Sequence, residues 1–506
     1  MQTKRLALIH RSHRTPRRAS SSATAAFSLS LLLSFAVSQA HAGAPLQTEL
    51  AKIVARLPHK QAIVAAHVVD LAHGGAPILA VNADQPMTPA STMKVFSMTA
   101  ALRELGPQFA FETILATDGA NLMVIGDGDP GFGDERLHQA RGETIYAALE
   151  RWADAVRENG KLASVGDLIF DASVFDDERI HPTWERDDLG KWYAAPVAGL
   201  NFNDNCLDIV VTPAGKGAPA NVVVNPVSSF LTVLNACRTG GKGAPVLHHP
   251  PGTNEYKITG QCSKRWAFSP VAFHDPPLLF GETLRTVLAR NGVHVAGKVR
   301  FAQVRESSGA LPPQLRVLAV HRTPIEEVLA RAGKNSQNLF AECLLKRAGV
   351  GWARRTGQTG AHGSWELGSR AVGELLRSAG IDRTGLKVAD GSGLSRANSC
   401  TARQLTELLA WSSRQPFGRL LEDSLAEAGV DGSLRRRLKN SAGRVHAKTG
   451  TMNGIRALTG YVDDGGGPRF AFAVLFNNYP GSSAPYKDIQ DRFCQALIEA
   501  ANGSGR

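Results

Sequence analysis

Near the N-terminal end, the pattern of apolar and polar residues predicts a helix, a strand hairpin and a second helix. Apolar residues recur every three or four positions in the helical segments, whereas the strand segments are short β-type runs. Gly74 and Gly75 fit a turn between the two strands. The predicted elements are a helix over 46–57, strands over 62–69 and 78–82, and a helix over 91–104.

The C-terminal end has a related pattern, in which two strands precede a final helix. A Gly-rich turn at 464–467 separates these two strands. The predicted elements are strands over 455–463 and 469–477 and a helix over 485–501. Strands from the two ends of the chain could therefore lie side by side in one sheet, and the middle would then be inserted into the domain that the ends form.

The middle of the chain consists of short strand-like runs separated by Gly, Pro, Asn and Asp, with helical patterns at 143–158 and 277–291. This texture predicts a mostly β insertion, which could itself comprise two subdomains. Helical runs at 325–332 and 339–346 follow it. The predicted fold class is α+β. The predicted division is a signal peptide at 1–42, a domain formed by 43–109 and 321–506, and the insertion at 110–320.

The first 42 residues have the pattern of an export signal. A basic stretch ending at Arg18 precedes an apolar run over about 25–37, and Ala40-His41-Ala42 fits a small-x-small cleavage site. The run is short for a bilayer span. We therefore predict cleavage near Ala42 and export to the periplasm, with an uncleaved membrane anchor as the alternative.

Composition and charge narrow the remaining classes of function. The chain has 506 residues, of which 43% are hydrophobic and 20% charged, and this balance is typical of a globular protein. Half of the net charge of +12 lies in residues 1–42, which contain no acid. The mild basic excess elsewhere fits a peripheral association with cell wall or membrane surface. Basic runs interleaved with aromatic residues are missing, so nucleic-acid binding is not expected.

The six cysteines include no C-x-x-C pair, and the sequence contains no HExxH string and no phosphate loop. No metal and no organic cofactor are therefore expected. Cys237 and Cys262 flank a Gly/Pro-rich stretch and are the best candidates for a disulfide in an oxidising compartment. Cys343 lies in an apolar helical pattern and is predicted to be a buried free thiol.

Three short motifs carry candidate chemistry, and the first is S-x-x-K at Ser91–Lys94. Positions i and i+3 of a helix share a face, so the Lys94 amine is expected beside the Ser91 hydroxyl. A serine hydroxyl needs a base within hydrogen-bond reach, and a lysine can serve only if burial or a second cation lowers its pKa. The N–H of a serine at a helix start could also face a developing oxyanion.

The second motif is S-x-N, at Ser336 and Asn338. The hydroxyl can relay a proton to a leaving group. The amide both donates and accepts hydrogen bonds, so it can hold Lys94 together with a substrate carbonyl.

The third motif is K-T-G at 448–450, followed by Thr451, at the entry to the penultimate strand. Lys448 would provide positive charge for a terminal carboxylate, and it would also be the second cation beside Lys94. An edge strand there could dock an extended peptide by main-chain pairing. Gly450 would let that peptide approach the backbone closely.

Each motif alone is a weak signal. A helix N-cap would explain Ser91, a solvated surface lysine would explain Lys94, and a strand-edge residue would explain Lys448. Their joint order in an exported chain is the pattern of penicillin-binding proteins and serine β-lactamases.

The combined motifs resemble the D-alanyl-D-alanine carboxypeptidase/endopeptidase family, the class C low-molecular-mass penicillin-binding proteins. In that family a large insertion separates the first two motifs, as it does here. Gln337 is a departure, because the family commonly has Asp at that position. Further strings that agree are GDGDP at 126–130, NFNDNC at 201–206, DGSGLSR at 390–396 and AKTGT at 447–451.

The resemblance implies a β-lactamase/transpeptidase-like domain, an antiparallel sheet flanked by helices. It also implies a penicillin-recognising serine peptidase that hydrolyses D-alanyl-D-alanine ends and cross-links of peptidoglycan peptides. The reaction would pass through an acyl-enzyme, which β-lactams would form as covalent inhibitors.

The resemblance further implies individual roles. Ser91 would be the nucleophile, Lys94 the general base and Ser336 the carrier of a proton to the leaving group. Arg396 is a candidate for contacting the peptide's second charged end, with a surface ion pair as the alternative. The implied substrate-binding residues are Asn338, Lys448 and Thr449, and the implied oxyanion hole is formed by the backbone N–H groups of Ser91 and Thr451.

Two other functions stay open. A serine β-lactamase would need a deacylating Glu followed by Leu-Asn after S-x-N, but Glu366 is followed by Leu367 and Gly368. A non-catalytic wall-binding scaffold of the same fold usually lacks the serine or a lysine, and this chain retains them.

Asp390 is expected to stabilise a turn.

Overall fold

The computed structural model of the protein describes residues 44–158, 160–250 and 252–503, and the predicted signal peptide lies outside them. The helices predicted from apolar periodicity are present, and the helix predicted at 339–346 continues to Arg355. The described α-helices are α1 (44–55), α2 (Lys94–Leu105), α3 (Glu135–Ala140), α4 (Ala147–Glu158), α5 (Pro276–Arg290), α6 (Ile325–Gly333), α7 (Asn338–Arg355), α8 (Trp365–Ser378), α9 (Ala402–Ser412), α10 (Gly418–Asp423) and α11 (Ala484–Gly503).

The strands follow the short apolar runs along the chain. They are β1 (Ile63–Asp70), β2 (Ala76–Val81), β3 (Ala110–Thr117), β4 (Leu122–Ile125), β5 (Ser164–Val165), β6 (Leu168–Asp171), β7 (Cys206–Thr212), β8 (Asn221–Asn225), β9 (Thr232–Asn235), β10 (Arg238–Thr239), β11 (Pro245–His248), β12 (Glu255–Cys262), β13 (Trp266–Ala267), β14 (Val271–Ala272), β15 (His294–Val295), β16 (Val299–Phe301), β17 (Arg316–Pro324), β18 (Ala426–Glu427), β19 (Val445–Met452), β20 (Ile455–Asp463) and β21 (Pro468–Asn477).

A six-stranded antiparallel sheet joins the two ends of the chain, in the order β18-β19-β20-β21-β1-β2. β1 pairs with β21, from Ile63 opposite Asn477 to Asp70 opposite Phe470, so the predicted neighbourhood of the two ends is confirmed. Alternate residues of β21 pack into two different apolar clusters. One cluster contains residues of α2, α7 and α9, and the other contains residues of α1 and α11. Helices therefore cover both faces of this sheet.

The middle of the chain forms smaller sheets. A five-stranded sheet has the order β16-β6-β4-β3-β17, and two four-stranded sheets are built around β7 and β12. Trp152 of α4 and Phe280 of α5 pack in the core beside the five-stranded sheet. Several strand pairs here are parallel, including β4 with β6 and β6 with β16. We propose that the chain divides into an inserted region at 110–320 and a domain formed by 43–109 together with 321–506.

Two local predictions are wrong. The K-T-G motif lies inside β19 and not at the entry to the penultimate strand, because the chain forms one more strand before the turn at Asn453. The expected disulfide is also missing, since all six cysteines are buried free thiols. β10 runs parallel to β12 with Thr239 opposite Cys262, which sets Cys237 two residues out of register with Cys262. The free thiol predicted at Cys343 is confirmed.

Across the described part of the chain, no helix combines the length and the apolar character that a membrane crossing requires.

Candidate active site

Ser91 lies in a 3-10 turn, Ala90–Met93, that continues directly into α2. Residues i and i+3 stack above one another in such a turn, so local conformation sets the Lys94 amine beside the Ser91 hydroxyl. The Nζ of Lys94 donates a hydrogen bond to the Oγ of Ser91 at 3.1 Å. Ala90 has a φ of 48°, a strained value for a residue with a side chain, and such strain is common at functional turns.

The Lys94 side chain is completely buried and fully hydrogen-bonded. Besides Ser91, its Nζ donates to the Oδ1 of Asn338 at 2.7 Å and to the carbonyl oxygen of Ser392 at 2.8 Å. An ammonium has three N–H donors, and three acceptors surround this one. The amine is therefore fixed in one position next to the serine.

The S-x-N motif forms the start of α7. The Nδ2 of Asn338 donates to the carbonyl oxygen of Tyr193 at 2.7 Å, which fixes the amide so that its oxygen faces Lys94. The Nε2 of Gln337 donates to Asp204 at 2.6 Å, and its Oε1 accepts from the Asn338 N–H at 3.0 Å. Gln337, the departure from the family pattern, thus connects the start of α7 to the inserted region.

The K-T-G motif meets the S-x-N motif through one hydrogen bond. The Nζ of Lys448 donates to the Oγ of Ser336 at 2.8 Å and to the carbonyl oxygen of Thr449 at 2.9 Å. Ser336 has a φ of 59°, so a second hydroxyl of the site is held by strained backbone. We call Ser91, Lys94, Ser336, Asn338 and Lys448 the serine–lysine cluster.

β19 packs directly against the Ala90–Met93 turn that holds Ser91, which we call the serine turn. A Cβ on Gly450 would lie 2.7 Å from the carbonyl oxygen of Pro89, so glycine is needed there for the strand to approach the turn. The predicted reason, space for a substrate, is therefore not the one that the structure gives. β20 pairs with the whole of β19, whereas β18 pairs only with His446 and Ala447.

Burial lowers the pKa of Lys94 to about 7, although the carboxyl groups of Glu342 and Asp390 oppose this shift. Burial also holds the pKa of Lys448 well below its usual range, with further lowering by Lys94 and Arg456. The motifs predict that Lys448 is the second cation that depresses the pKa of Lys94. Burial is the larger cause of the lowered pKa at both lysines, and electrostatic repulsion by Lys94 lowers the pKa of Lys448 further.

Glu342 supports the site, although the sequence analysis did not single it out. Its side chain accepts from the N–H groups of Gly391 and Ser392 at 2.7 and 2.8 Å, and from the indole of Trp365 at 2.8 Å. These bonds hold the loop whose Ser392 carbonyl contacts Lys94. Burial and the neighbouring Asp390 raise the pKa of Glu342. The sequence did contain a signal for this role, because Glu342 is an acidic residue within an apolar helical run, where a buried charge needs partners.

Asp390 has the predicted turn role. It accepts from the N–H groups of Gly393 and Ser395 at 2.8 and 2.6 Å, and from the indole of Trp184 at 2.8 Å. Gly393 has a φ of +82°, and a Cβ added there would lie 1.9 Å from the Ala90 carbonyl oxygen. The loop is thus packed against the serine turn.

The remaining predicted residues lie toward the rim. The Oγ1 of Thr449 donates to the Oγ of Ser433 at 2.8 Å, and the hydroxyl of Thr451 accepts from Arg456. Arg396 is exposed, pairs with Glu185 at 2.8 Å and donates to the Asn453 carbonyl oxygen at 3.2 Å. The structure therefore gives Arg396 the surface ion pair that was its alternative interpretation.

Among the described residues, no group of three or more His, Cys, Asp or Glu side chains is arranged to hold a metal ion.

Comparison with known proteins identifies the family. The model of the D-Ala-D-Ala carboxypeptidase 3 (S13) family matches residues 46–499. A D-alanyl-D-alanine carboxypeptidase of Actinomadura sp. (strain R39) is 32% identical over 466 residues, covering 86% of this chain and 81% of that protein. D-alanyl-D-alanine carboxypeptidase DacB of Haemophilus influenzae is 28% identical over 428 residues, covering 79% of this chain and 82% of that protein.

A solved structure supports the fold assignment. The crystal structure of penicillin binding protein 4 (dacB) from Haemophilus influenzae superposes with a TM-score of 0.71 at 24% identity, covering 89% of this chain and 99% of that one. The predicted α+β, transpeptidase-like fold class is confirmed. Since the family model matches nearly the whole of the described chain, the protein belongs to the D-Ala-D-Ala carboxypeptidase 3 (S13) family and is a serine-type hydrolase of the penicillin-binding group.

Proposed function

We propose that Ser91 is the nucleophile of a carboxypeptidase/endopeptidase that hydrolyses D-alanyl-D-alanine ends and D-alanyl cross-links of peptidoglycan peptides. One observation carries the assignment of roles: three motifs far apart in the chain meet through side-chain hydrogen bonds beside the Ser91 hydroxyl. Lys94 is 3.1 Å from the Ser91 Oγ and 2.7 Å from Asn338, and Lys448 is 2.8 Å from Ser336.

The first step is acylation. As the Oγ of Ser91 forms a bond to the carbonyl carbon of the scissile peptide, the neutral amine of Lys94 takes the hydroxyl proton. A lysine with a pKa near 7 is neutral in a large fraction of molecules at neutral pH, so it can accept that proton. The negative charge on the carbonyl oxygen would be held by the backbone N–H groups of Ser91 and Thr451.

The second step is departure of the leaving group. When the C–N bond breaks, Ser336 gives its hydroxyl proton to the leaving amine and regains one from Lys448, with which it is already hydrogen-bonded. Water then attacks the ester carbonyl while Lys94 returns its proton to the Ser91 oxygen, and the shortened peptide leaves as a carboxylate. Of the two protons that this water releases, one returns to Lys448 and the other is taken up by the departed amine.

Substrate docking would use the outer edge of β19. β18 pairs only with His446 and Ala447, so an extended peptide could pair with β19 beyond them. The terminal carboxylate would lie against Lys448 and Thr449, and an arriving carboxylate favours the charged form of Lys448. Arg396 would contact the second charged end of the peptide after exchanging Glu185 as its partner.

β-Lactams would acylate Ser91 because they mimic the substrate, and this provides the test. The purified protein incubated with benzylpenicillin is expected to gain the mass of one penicillin. The Ser91→Ala protein should gain none, whereas Ser378→Ala, a matched change on the exposed end of α8, should react like the wild type. An unmodified wild-type protein, or an adduct on Ser91→Ala, would contradict the proposal.

The alternative of a serine β-lactamase can be separated from this function. Glu366, the residue compared with a deacylating carboxylate, is largely exposed and pairs with Arg370 at 2.6 Å. We expect one equivalent of a chromogenic cephalosporin to react rapidly, followed by slow turnover. Sustained rapid turnover would favour the β-lactamase, and wall binding without peptide hydrolysis would favour a scaffold.

We also propose that the chain is exported to the periplasm, is cleaved after Ala42 and associates peripherally with wall or membrane surface. The basic, acid-free N-terminal segment and the remaining basic excess support this proposal. N-terminal sequencing of the protein from its native cell envelope is expected to begin at Gly43. A first residue upstream of the apolar run would contradict cleavage.

A further inference from the structure

A basic groove lies beside the serine–lysine cluster and takes no part in the mechanism above. It has a volume of about 500 Å³, and no acidic residue lines it. The cations that line it are Arg136, Lys334, Arg435, Arg436, Arg437 and Lys487. We call these six residues, together with Ser433, the basic groove.

Few of these charges are neutralised by the protein itself. Lys334 pairs with Asp431 at 2.6 Å, and Arg437 pairs with Asp491 at 2.7 Å. Within the described ranges, the other four cations form no ion pair. Arg437 is only 4% exposed, and one of its terminal guanidinium nitrogens has no hydrogen-bond partner. The four cations without an ion pair leave a net positive charge along the groove, so the groove favours an anionic ligand.

The groove begins at the leaving-group side of the cluster. Its Ser433 accepts a hydrogen bond from Thr449 at 2.8 Å, and the Ser433 N–H donates to the Lys334 carbonyl oxygen at 3.0 Å. Lys334 precedes Ser336 by two residues. A leaving group that receives its proton from Ser336 and places a carboxylate at Thr449 would therefore extend toward the basic groove.

We propose that the basic groove binds the leaving peptide of a cross-linked substrate and so determines endopeptidase action; this inference rests on the proposed function. A departing D-alanine has one carboxylate, which Lys448 and Thr449 can bind without the basic groove. A cross-linked substrate instead releases a second stem peptide, which has additional carboxylates and must continue past Thr449. Arginine is suited to such ligands, because its guanidinium binds carboxylates in a bidentate manner.

The test compares two substrates on the full-length mature protein: a purified cross-linked muropeptide dimer and an uncross-linked muropeptide ending in D-alanyl-D-alanine. In the double variant Arg435→Glu/Arg436→Glu, we expect the ratio of kcat/KM for dimer to monomer to fall roughly tenfold, mainly through KM. Both residues are exposed, so the fold should tolerate the change. The control Arg383→Glu/Lys387→Glu changes the net charge equally at a different surface and should leave the ratio unchanged.

The salt dependence supplies a second measurement. Exposed charges are screened at high ionic strength, so the wild-type preference for the dimer should decrease as salt is added, and that of the double variant should not. An unchanged ratio in the variant, or an equal loss on both substrates, would overturn the inference. Loss of binding to phosphatidylglycerol vesicles with an unchanged ratio would also overturn it, in favour of a membrane surface. Failure of the proposed function looks different, since the wild type would then cleave neither substrate.

Discussion

The serine–lysine cluster and the basic groove adjoin at Thr449, yet both lysines of the cluster are buried, whereas Arg435 and Arg436 of the groove are exposed. Lys94 and Lys448 are 0% exposed, and burial lowers the pKa of Lys94 to about 7 and holds the pKa of Lys448 well below its usual range. Arg435 and Arg436 are exposed to solvent. Burial thus turns a lysine into a group that exchanges protons, while exposure leaves an arginine as a permanent charge for binding.

The largest effect is expected for Lys94→Met, which removes the proposed general base and leaves the basic groove unchanged. We expect the rate of penicillin acylation to fall roughly 10³-fold, because a positioned general base contributes on that scale. Stopped-flow or mass-spectrometric acylation rates measure it. Lys387→Met, on an exposed surface, is the matched control and should react normally. A variant within tenfold of the wild type would exclude Lys94 as the base.

Lys448→Met tests whether the second buried lysine also binds anions. We expect kcat/KM on a D-alanyl-D-alanine peptide to fall roughly 100-fold, since a buried charge partner of the terminal carboxylate is lost. The same peptide with an amidated C-terminus has no carboxylate to bind. The variant should therefore hydrolyse acid and amide at similar rates, whereas the wild type prefers the acid. An undiminished preference would place the carboxylate elsewhere.

The pH dependence sharpens the comparison, because Lys94 should titrate near neutrality. The pKa of Lys94 is about 7, and the neutral amine is the active form. Acylation should therefore rise with pH by roughly tenfold per unit below the pKa and level off about one unit above it. The rate of penicillin acylation between pH 5 and 9 checks this. A flat profile through pH 7 would mean that a different group takes the proton.

A pair of glycine substitutions separates strain at the cluster from strain elsewhere. Gly393 and Gly357 both have positive φ, but only an added Cβ at Gly393 meets the serine turn. Gly357→Ala should cost about 1 kcal/mol of stability. Gly393→Ala should cost more and also slow acylation, because it displaces Ala90 and hence Ser91. Denaturant unfolding and acylation rates test both, and equal effects would contradict the packing argument.

The smallest effect is expected for the exposed cation at the rim. Arg396→Ala removes the ion pair with Glu185 and should change the free energy of unfolding by less than about 1 kcal/mol, because exposed pairs contribute little. If Arg396 contacts the peptide, KM for a muropeptide should rise while penicillin acylation is unchanged. Chemical denaturation and steady-state kinetics on the same preparation distinguish the two roles.

Much of the fold follows from local sequence pattern, but that pattern does not predict strand direction or strand register. Apolar periodicity predicted the helices near 91–104 and 485–501, and the strand patterns at the two chain ends predicted that these ends share one sheet, in which β1 pairs with β21. It did not predict the parallel pairing of β4 with β6, because the direction of a short apolar strand is not encoded in its own residues. It also did not decide the candidate Cys237–Cys262 disulfide, because strand register, which a local pattern does not encode, sets the distance between two cysteines.

The candidate site divides in a similar way. The motifs identified Ser91, Lys94, Ser336, Asn338 and Lys448, which the structure brings together. The sequence did not identify Glu342 or Ser433, because the role of an acid in a helix or of a serine in a loop depends on which residues the fold places beside it. The run of basic residues at 435–439 was visible in the sequence, but its position beside Thr449 was not.

The sequence by itself determined the contact between Ser91 and Lys94, because two residues three positions apart in a helical turn must stack. It also determined the family, through the order of three motifs. Only the tertiary structure decided that Lys94 is buried, that Lys448 reaches Ser336 and that a basic groove continues from Thr449. The contacts of Lys94 with Asn338 and of Lys448 with Ser336 join segments more than a hundred residues apart. The packing of such segments sets both the solvation of a charge and its pKa.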